Sequence, residues 1–137
     1  MSTAIVQPYL FFGGRCEEAL EFYRNAVGAQ IDVLVYFKDS PEPPAGFEDK
    51  VMHASFRIGQ STLLGSDGCS ETTGYEGFSL SLHVATLEEA EQAFAALADG
   101  GSVEMPLTET FWSPGYGMLT DRFGIGWMVN VLPENSA

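Results

Sequence analysis

The chain repeats itself. Glu17-Glu18-Ala19 recurs as Glu88-Glu89-Ala90 and Tyr23 recurs as Phe94, each 71 residues later, while Gly28 recurs as Gly100 after one residue more. The closing hairpins also correspond, with Ile58-Gly59 and Leu63-Leu64 matching Phe123-Gly124 and Met128-Val129. A repeat of this length is one supersecondary unit copied twice, and neither copy can cover both faces of its own sheet. Two similar modules are therefore expected, with helices over one face of each sheet and the opposite faces enclosing a cleft.

Periodicity gives each module the order strand, helix, strand, strand, strand. Residues 4–12 are apolar and aromatic, and Pro8 marks an edge or a bulge. Over residues 16–27, Ala19, Phe22, Tyr23, Ala26 and Val27 fall on one helical stripe. Glu17 and Glu18 favour the positive end of that helix, and Gly28 suits its left-handed C-terminal position. A strand over 31–37 leads into a loop over 38–50 that Pro41, Pro43 and Pro44 keep out of any ladder. Residues 51–58 and 61–66 form a hairpin around Gly59-Gln60, and 67–76 read as a polar linker. In the second module, Phe78, Leu80, Leu82 and Val84 alternate with Ser79, Ser81 and His83. Thr86 and Glu89 make a capping box for a helix running to Asp99, with Leu87, Ala90, Phe94 and Leu97 inward. Strands over 102–107, 117–120 and 125–131 complete the module, the last two joined by Asp121-Arg122-Phe123-Gly124. There Asp bonds its own backbone and Gly supplies positive φ. The fold class is α+β, one domain with module one at residues 4–67 and module two at 77–132.

Composition narrows the function. Six basic against nineteen acidic side chains give a net charge of −13, which leaves no basic face for nucleic acid and disfavours an anionic membrane surface. No apolar run approaches the roughly 20 residues of a membrane span, and the N-terminal residues lack the pattern of a secretory signal, so a cytoplasmic location is expected. Cys16 and Cys69 have no CxxC spacing, and a structural disulfide is not expected in a reducing compartment.

The residues that carry the most specific pattern run in order through the chain. They are Pro8-Tyr9-Leu10-Phe11-Phe12 with Gly14, Glu18-Ala19, Phe22-Tyr23, His53 with Arg57-Ile58-Gly59, and Ser66-Asp67. Then come Glu109-Thr110-Phe111-Trp112, Gly115-Tyr116-Gly117, Asp121-Arg122-Phe123-Gly124 and Trp127-Met128. In this pattern and in its two βαβββ modules the chain resembles the vicinal oxygen chelate superfamily of glyoxalase I, bleomycin-resistance proteins and extradiol dioxygenases. Within it the chain is most similar to the PhnB-like branch, also labelled 3-demethylubiquinone methyltransferase-like. The resemblance implies cupped mixed sheets with helices on the outer faces, and a homodimer.

Metal-using relatives place a His on the first strand of a module and a Glu on its last. On the repeat, these positions fall near Ser79 and at Met128 in module two, and near Pro8 (Gln7 or Tyr9) and at Leu63 in module one. None is a His or a carboxylate, and a divalent ion needs three or four such ligands, so neither a metal nor another cofactor is expected. His53 shares a strand face with Ser55 and Arg57; it is a candidate ligand or catalytic group, the alternative being a half-buried His bonded to a neighbouring strand. His83 is a weaker candidate. Glu109 precedes two aromatic residues and is the candidate carboxylate, with a surface or dimer-contact role as its alternative; Asp121 reads as a turn residue. Trp112 and Tyr116 suit the wall of an apolar pocket, or equally core or dimer packing.

Three readings follow. The first is a metal-free protein that holds a small apolar or aromatic molecule against Tyr9, His53, Ser79, Trp112, Tyr116 and Met128. The second is an enzyme, using either a rebuilt metal site for lyase, isomerase or dioxygenase chemistry or acid–base work by His53 and Glu109. The third is a structural dimer without a ligand. Methyl transfer is not expected, because 137 residues leave no room beside the two modules for a doubly wound cofactor domain and no Rossmann glycine fingerprint is present.

Overall fold

The structure, a computed structural model, describes residues 4–68 and 74–132. Cys69 and part of the segment read as a linker lie outside the described residues. The chain divides into two compact units, Met1–Thr73 and Gly74–Ala137. The first holds β1 (Tyr9–Phe11), α1 (Cys16–Val27), β2 (Gln30–Tyr36), β3 (Val51–Ile58) and β4 (Ser61–Ser66), with a single 3₁₀ turn at Phe37–Asp39. The second holds β5 (Leu80–Val84), α2 (Leu87–Ala98), β6 (Ser102–Thr108), β7 (Tyr116–Thr120) and β8 (Gly126–Val131). Each unit is a four-stranded mixed sheet, in order β1-β4-β3-β2 and β5-β8-β7-β6, with one parallel pair in each. The repeat read from the sequence is thus a repeat of topology.

Both first strands are shorter than expected. Pro8 has no N–H to donate, and β1 begins only after its carbonyl has accepted from Leu64 N at 2.9 Å. Upstream, Ile5 and Val6 are 74% and 99% exposed, so their apolar character does not reflect burial. β5 likewise starts at Leu80, leaving Phe78 half exposed.

Alternation decides which face of each sheet meets its helix. In β3, Ala54, Phe56 and Ile58 are buried, and in β4 Leu63 and Gly65 are buried beside them. Against them α1 turns Cys16, Ala19, Leu20 and Tyr23, a stripe centred nearer Leu20 than the expected one through Phe22 and Val27. Tyr23 is fully buried and stacks on Phe56 at 6.3 Å with 12° between the rings. The placing of Leu63 on the cleft face is corrected here: register pairs Leu64, not Leu63, with Tyr9 and Ser55. In the second unit α2 buries Ala90, Ala93, Phe94 and Leu97 over Leu119, Trp127 and Val129, while Leu87 remains 46% exposed.

The residue after β4 is not a wet linker position. Asp67 is 2% exposed, and its carboxylate accepts from three backbone N–H groups: Cys16 at 2.7 Å, Val51 at 2.8 Å and Gly14 at 2.9 Å. Arg15, the N-cap residue of α1, makes no side-chain cap. Asp67 therefore satisfies an orphan donor at the start of the helix from 51 positions downstream. Burial, reinforced by the Asp67 and Glu17 charges, pushes the Cys16 thiol pKa far up. A thiol in that state is inert, in keeping with a core residue.

Candidate functional site

Each sheet has a second face that its helix does not cover, and register assigns the side chains on it. In the first unit Tyr9 pairs with Leu64, Ser55 with Leu64, Val33 with Ser55 and Val35 with His53. Because paired residues share a face, Tyr9, Val33, Val35, His53, Ser55 and Leu64 form one open surface. The Tyr9 hydroxyl lies 3.1 Å from His53 Nδ1, and the two rings are 5.8 Å apart. Phe11 extends the surface, 5.0 Å from Tyr9 and 53% exposed. His53 is half-buried and bonded across the sheet, so it has both an accessible ring and a partner.

The second unit has the corresponding surface with different chemistry. Ser81 pairs with Met128, His83 with Asn130, Tyr116 with Asn130 and Met118 with Met128. His83 Nε2 lies 3.1 Å from Ser81 Oγ, and its Nδ1 lies 3.2 Å from Asn130 Nδ2. Trp112 packs edge-on against Tyr116 at 5.4 Å and against Phe111 at 4.8 Å. Ser79 precedes β5, with its Oγ 2.8 Å from the point a Cβ on Gly126 would occupy. Tyr9 and His53 thus meet in the first unit, and Tyr116 meets Trp112 and shares a sheet face with Met128 in the second.

Glu109 belongs to neither surface. It lines a groove of about 610 Å³ with Leu87, Glu91, Phe94 and Ala95 of α2 and Leu107, Thr108 and Pro114. Asp121 is a turn residue, 2% exposed, accepting from Phe123 N at 2.9 Å, Ile125 N at 3.1 Å and Trp127 Nε1 at 2.9 Å. The sequence placed Ser81 on one face with Ser79 and His83, and there it lies, but it singled out neither Phe11 nor Asn130. The alternation of β1 carried a signal for Phe11, whereas Asn130 needs the β5–β8 register, which no local pattern states.

On the open faces the first and last strands of each unit pair Tyr9 with Leu64 and Ser81 with Met128. Two apolar side chains and two hydroxyls do not make the imidazole and carboxylate donor set a divalent ion needs. Among the described residues, no three His, Cys, Asp or Glu side chains gather as a metal site would require.

Two βαβββ units, each with a helix-covered and an open face, are the glyoxalase/bleomycin-resistance fold of the vicinal oxygen chelate superfamily. The fosfomycin resistance protein FosX of Listeria monocytogenes shares it, with a TM-score of 0.67 at 10% identity over 97% of this chain and 96% of its own. The chain belongs to the 3-demethylubiquinone-9 3-methyltransferase family, whose model matches residues 4–130, and it is PhnB-like. It is similar to the PhnB protein of Bacillus cereus, at 27% identity and a TM-score of 0.80 over 93% of this chain and 99% of that one. It is also 35% identical to Protein YjdN of Escherichia coli, across 94% of this chain and 96% of YjdN.

Proposed function

We propose that the protein binds a small apolar or aromatic molecule on its open sheet faces without a metal ion, acting as a homodimer in the cytoplasm. The observation that carries this reading is the pair Leu64 and Met128. At the last-strand position of each unit they put alkyl and thioether groups where a metal-using relative needs a carboxylate. Tyr9, Phe11 and Val33 around one, and Tyr116, Trp112 and Met118 around the other, suit an apolar ligand with few polar anchors. His53 and Ser79 would supply such anchors. Val103 and Met105, at 49% and 37% exposed, are apolar surface that a second copy would cover. Methyl transfer is not carried over from the family's description. Among the described residues each sheet has four strands in a βαβββ order, which is not the doubly wound arrangement that binds a nucleotide-type cofactor at its switch point.

A ligand present at about a hundred times its Kd stabilises by about 2.7 kcal/mol, so thermal-shift screening of aromatic compounds is the test. Binders are expected, with the shift lost in Met128→Glu and Tyr9→Ala. No shift from any compound would favour a structural dimer. Protein purified without chelator is expected to carry substoichiometric metal. Stoichiometric Zn, Ni, Mn or Fe that disappears in His53→Ala would sink the metal-free reading.

The Tyr9–His53 hydrogen bond favours a second reading, acid–base catalysis centred on His53, since a general base needs a partner that fixes its tautomer. Turnover of a bound compound that falls in His53→Gln while binding persists would establish it.

A further inference from the structure

The groove that holds Glu109 lies beside α2, and only Thr108 of its lining, paired with Tyr116, adjoins the open face of the second unit. We propose that it is a separate binding site for an organic cation, an ammonium group carried on an apolar body. Its floor is apolar: Leu87, Phe94, Ala95 and Leu107. Two glycines make that floor possible. A Cβ on Gly115 would come within 2.8 Å of Leu87 Cδ1, and one on Gly117 within 2.7 Å of Phe94 Cε2, so both large side chains rest directly on β7 and the loop before it. Its rim carries two carboxylates, Glu91 and Glu109, and neither has an ion-pair partner among the described residues.

Among the described residues of the second unit no cation is paired with them. Arg122 is the only Lys or Arg in residues 74–137, and it is held against Asp99, donating to the Asp99 carbonyl at 3.1 Å and reaching Oδ2 at 3.3 Å. A volume of about 610 Å³ is in the range of small-molecule sites, and an apolar floor with a twofold anionic rim is complementary to a hydrophobic ammonium. The repeat supplies an independent argument. At the 71-residue offset, Cys16 corresponds to Leu87 and Leu20 to Glu91. In the first unit Cys16 is 0% and Leu20 1% exposed, whereas in the second Leu87 is 46% exposed and Glu91 carries a charge at the surface. The same helix face is sealed core in one unit and an open, acidic groove in the other.

The test uses naphthylmethylammonium, with naphthylmethanol as its neutral counterpart and naphthoate as its anion, titrated into the isotope-labelled full chain and followed by amide chemical shifts. The ammonium is expected to move Leu87, Glu91, Ala95 and Glu109 while leaving Met118 and Met128 unmoved, with affinity falling as salt rises. The Glu91→Gln/Glu109→Gln pair is expected to weaken it about tenfold, from two partly screened charge contacts. Ala95→Trp fills the groove and is expected to abolish binding without altering either charge. Equal affinity for naphthylmethanol, indifference to the Gln pair, absence of saturable binding, or shifts centred on Met118 and Met128 would each overturn the proposal. Because the open faces are read out at different residues, this site and the proposed ligand site succeed or fail separately.

Discussion

Helices α1 and α2 occupy equivalent places in their units yet begin in different ways. α2 is capped locally: Thr86 Oγ1 accepts from Glu89 N at 3.1 Å and donates to the Glu89 carboxylate at 3.2 Å. The return bond from the N-cap backbone that a full capping box would have is not among these contacts. α1 receives no cap from the side chain of its N-cap residue, Arg15, and is held by Asp67, which reaches back from the end of β4 and ties Gly14, Cys16 and Val51 together. One unit thus fixes its helix by a short-range device at the surface, and the other by a buried carboxylate joining three segments. Loss of the first should loosen a helix end, and loss of the second should loosen a core.

The largest expected effect breaks the second device. Asp67→Ala leaves two buried N–H donors and a part-buried one without an acceptor and should destabilise by about 3–5 kcal/mol, measured by urea denaturation. Asp67→Asn retains one oxygen and should fall between Ala and the natural residue. A change under about 1 kcal/mol for Asp67→Ala would mean that water replaces the carboxylate easily, and the contrast between the helices would collapse. Next in size is Gly117→Ala, which gives β7 the residue that β3 carries at the equivalent Ala54. Its Cβ would meet Phe94 at 2.7 Å and the Leu107 backbone at 3.0 Å. Overpacking of this kind costs about 1–3 kcal/mol, so the two units should prove not to be interchangeable at a position where they differ by one methyl group.

Much of this architecture was legible in advance because it rests on local pattern. The repeat, the helix over Cys16–Val27, the hairpin strands Val51–Ile58 and Ser61–Ser66, and the turn on Asp121 are written in neighbouring residues. The split of β3 into Ala54-Phe56-Ile58 and His53-Ser55-Arg57 followed from period two alone. What escaped depends on pairing between distant strands. The shift from Leu63 to Leu64 on the open face is a one-residue register question, and a one-residue slip exchanges the faces of a strand. Asp67 looked like the first residue of a polar loop because nothing near it in sequence announces three distant donors. Glu109 is the candidate carboxylate in the sequence, set before two aromatic residues and considered with His53 for acid–base work, with a surface or dimer-contact role as its alternative. Its placement beside Glu91 required α2 to be packed on its sheet.

Thr86→Ala should cost about 1 kcal/mol, the ordinary value of an exposed N-cap, and a hydrogen-exchange measurement should place the loss in the first turn of α2. That local signature, against the global one of Asp67→Ala, is the sharpest form of the comparison between caps.

The smallest effect separates the units by pH. On the open face of the first, Arg57 binds Asp32 at 2.8 and 3.0 Å and Gln30 at 2.8 Å; at the corresponding place in the second, Thr120 donates to Glu104 at 3.1 Å. The Arg57 hydrogen bond, aided by its charge and opposed by slight desolvation, holds the Asp32 carboxyl below its ordinary value. A carboxyl depressed in the folded state adds stability above its unfolded pKa of about 3.9 and loses it as pH falls through the lower folded value. The difference in stability between the natural protein and Asp32→Asn should therefore be constant near neutrality and shrink below about pH 4. Because both partners are solvent-exposed, it should also shrink in high salt. A Glu104→Gln variant, which removes a charge with no Arg beside it, should show a weaker trend. If the two variants followed the same pH curve, the ion pair would contribute nothing that a hydroxyl does not.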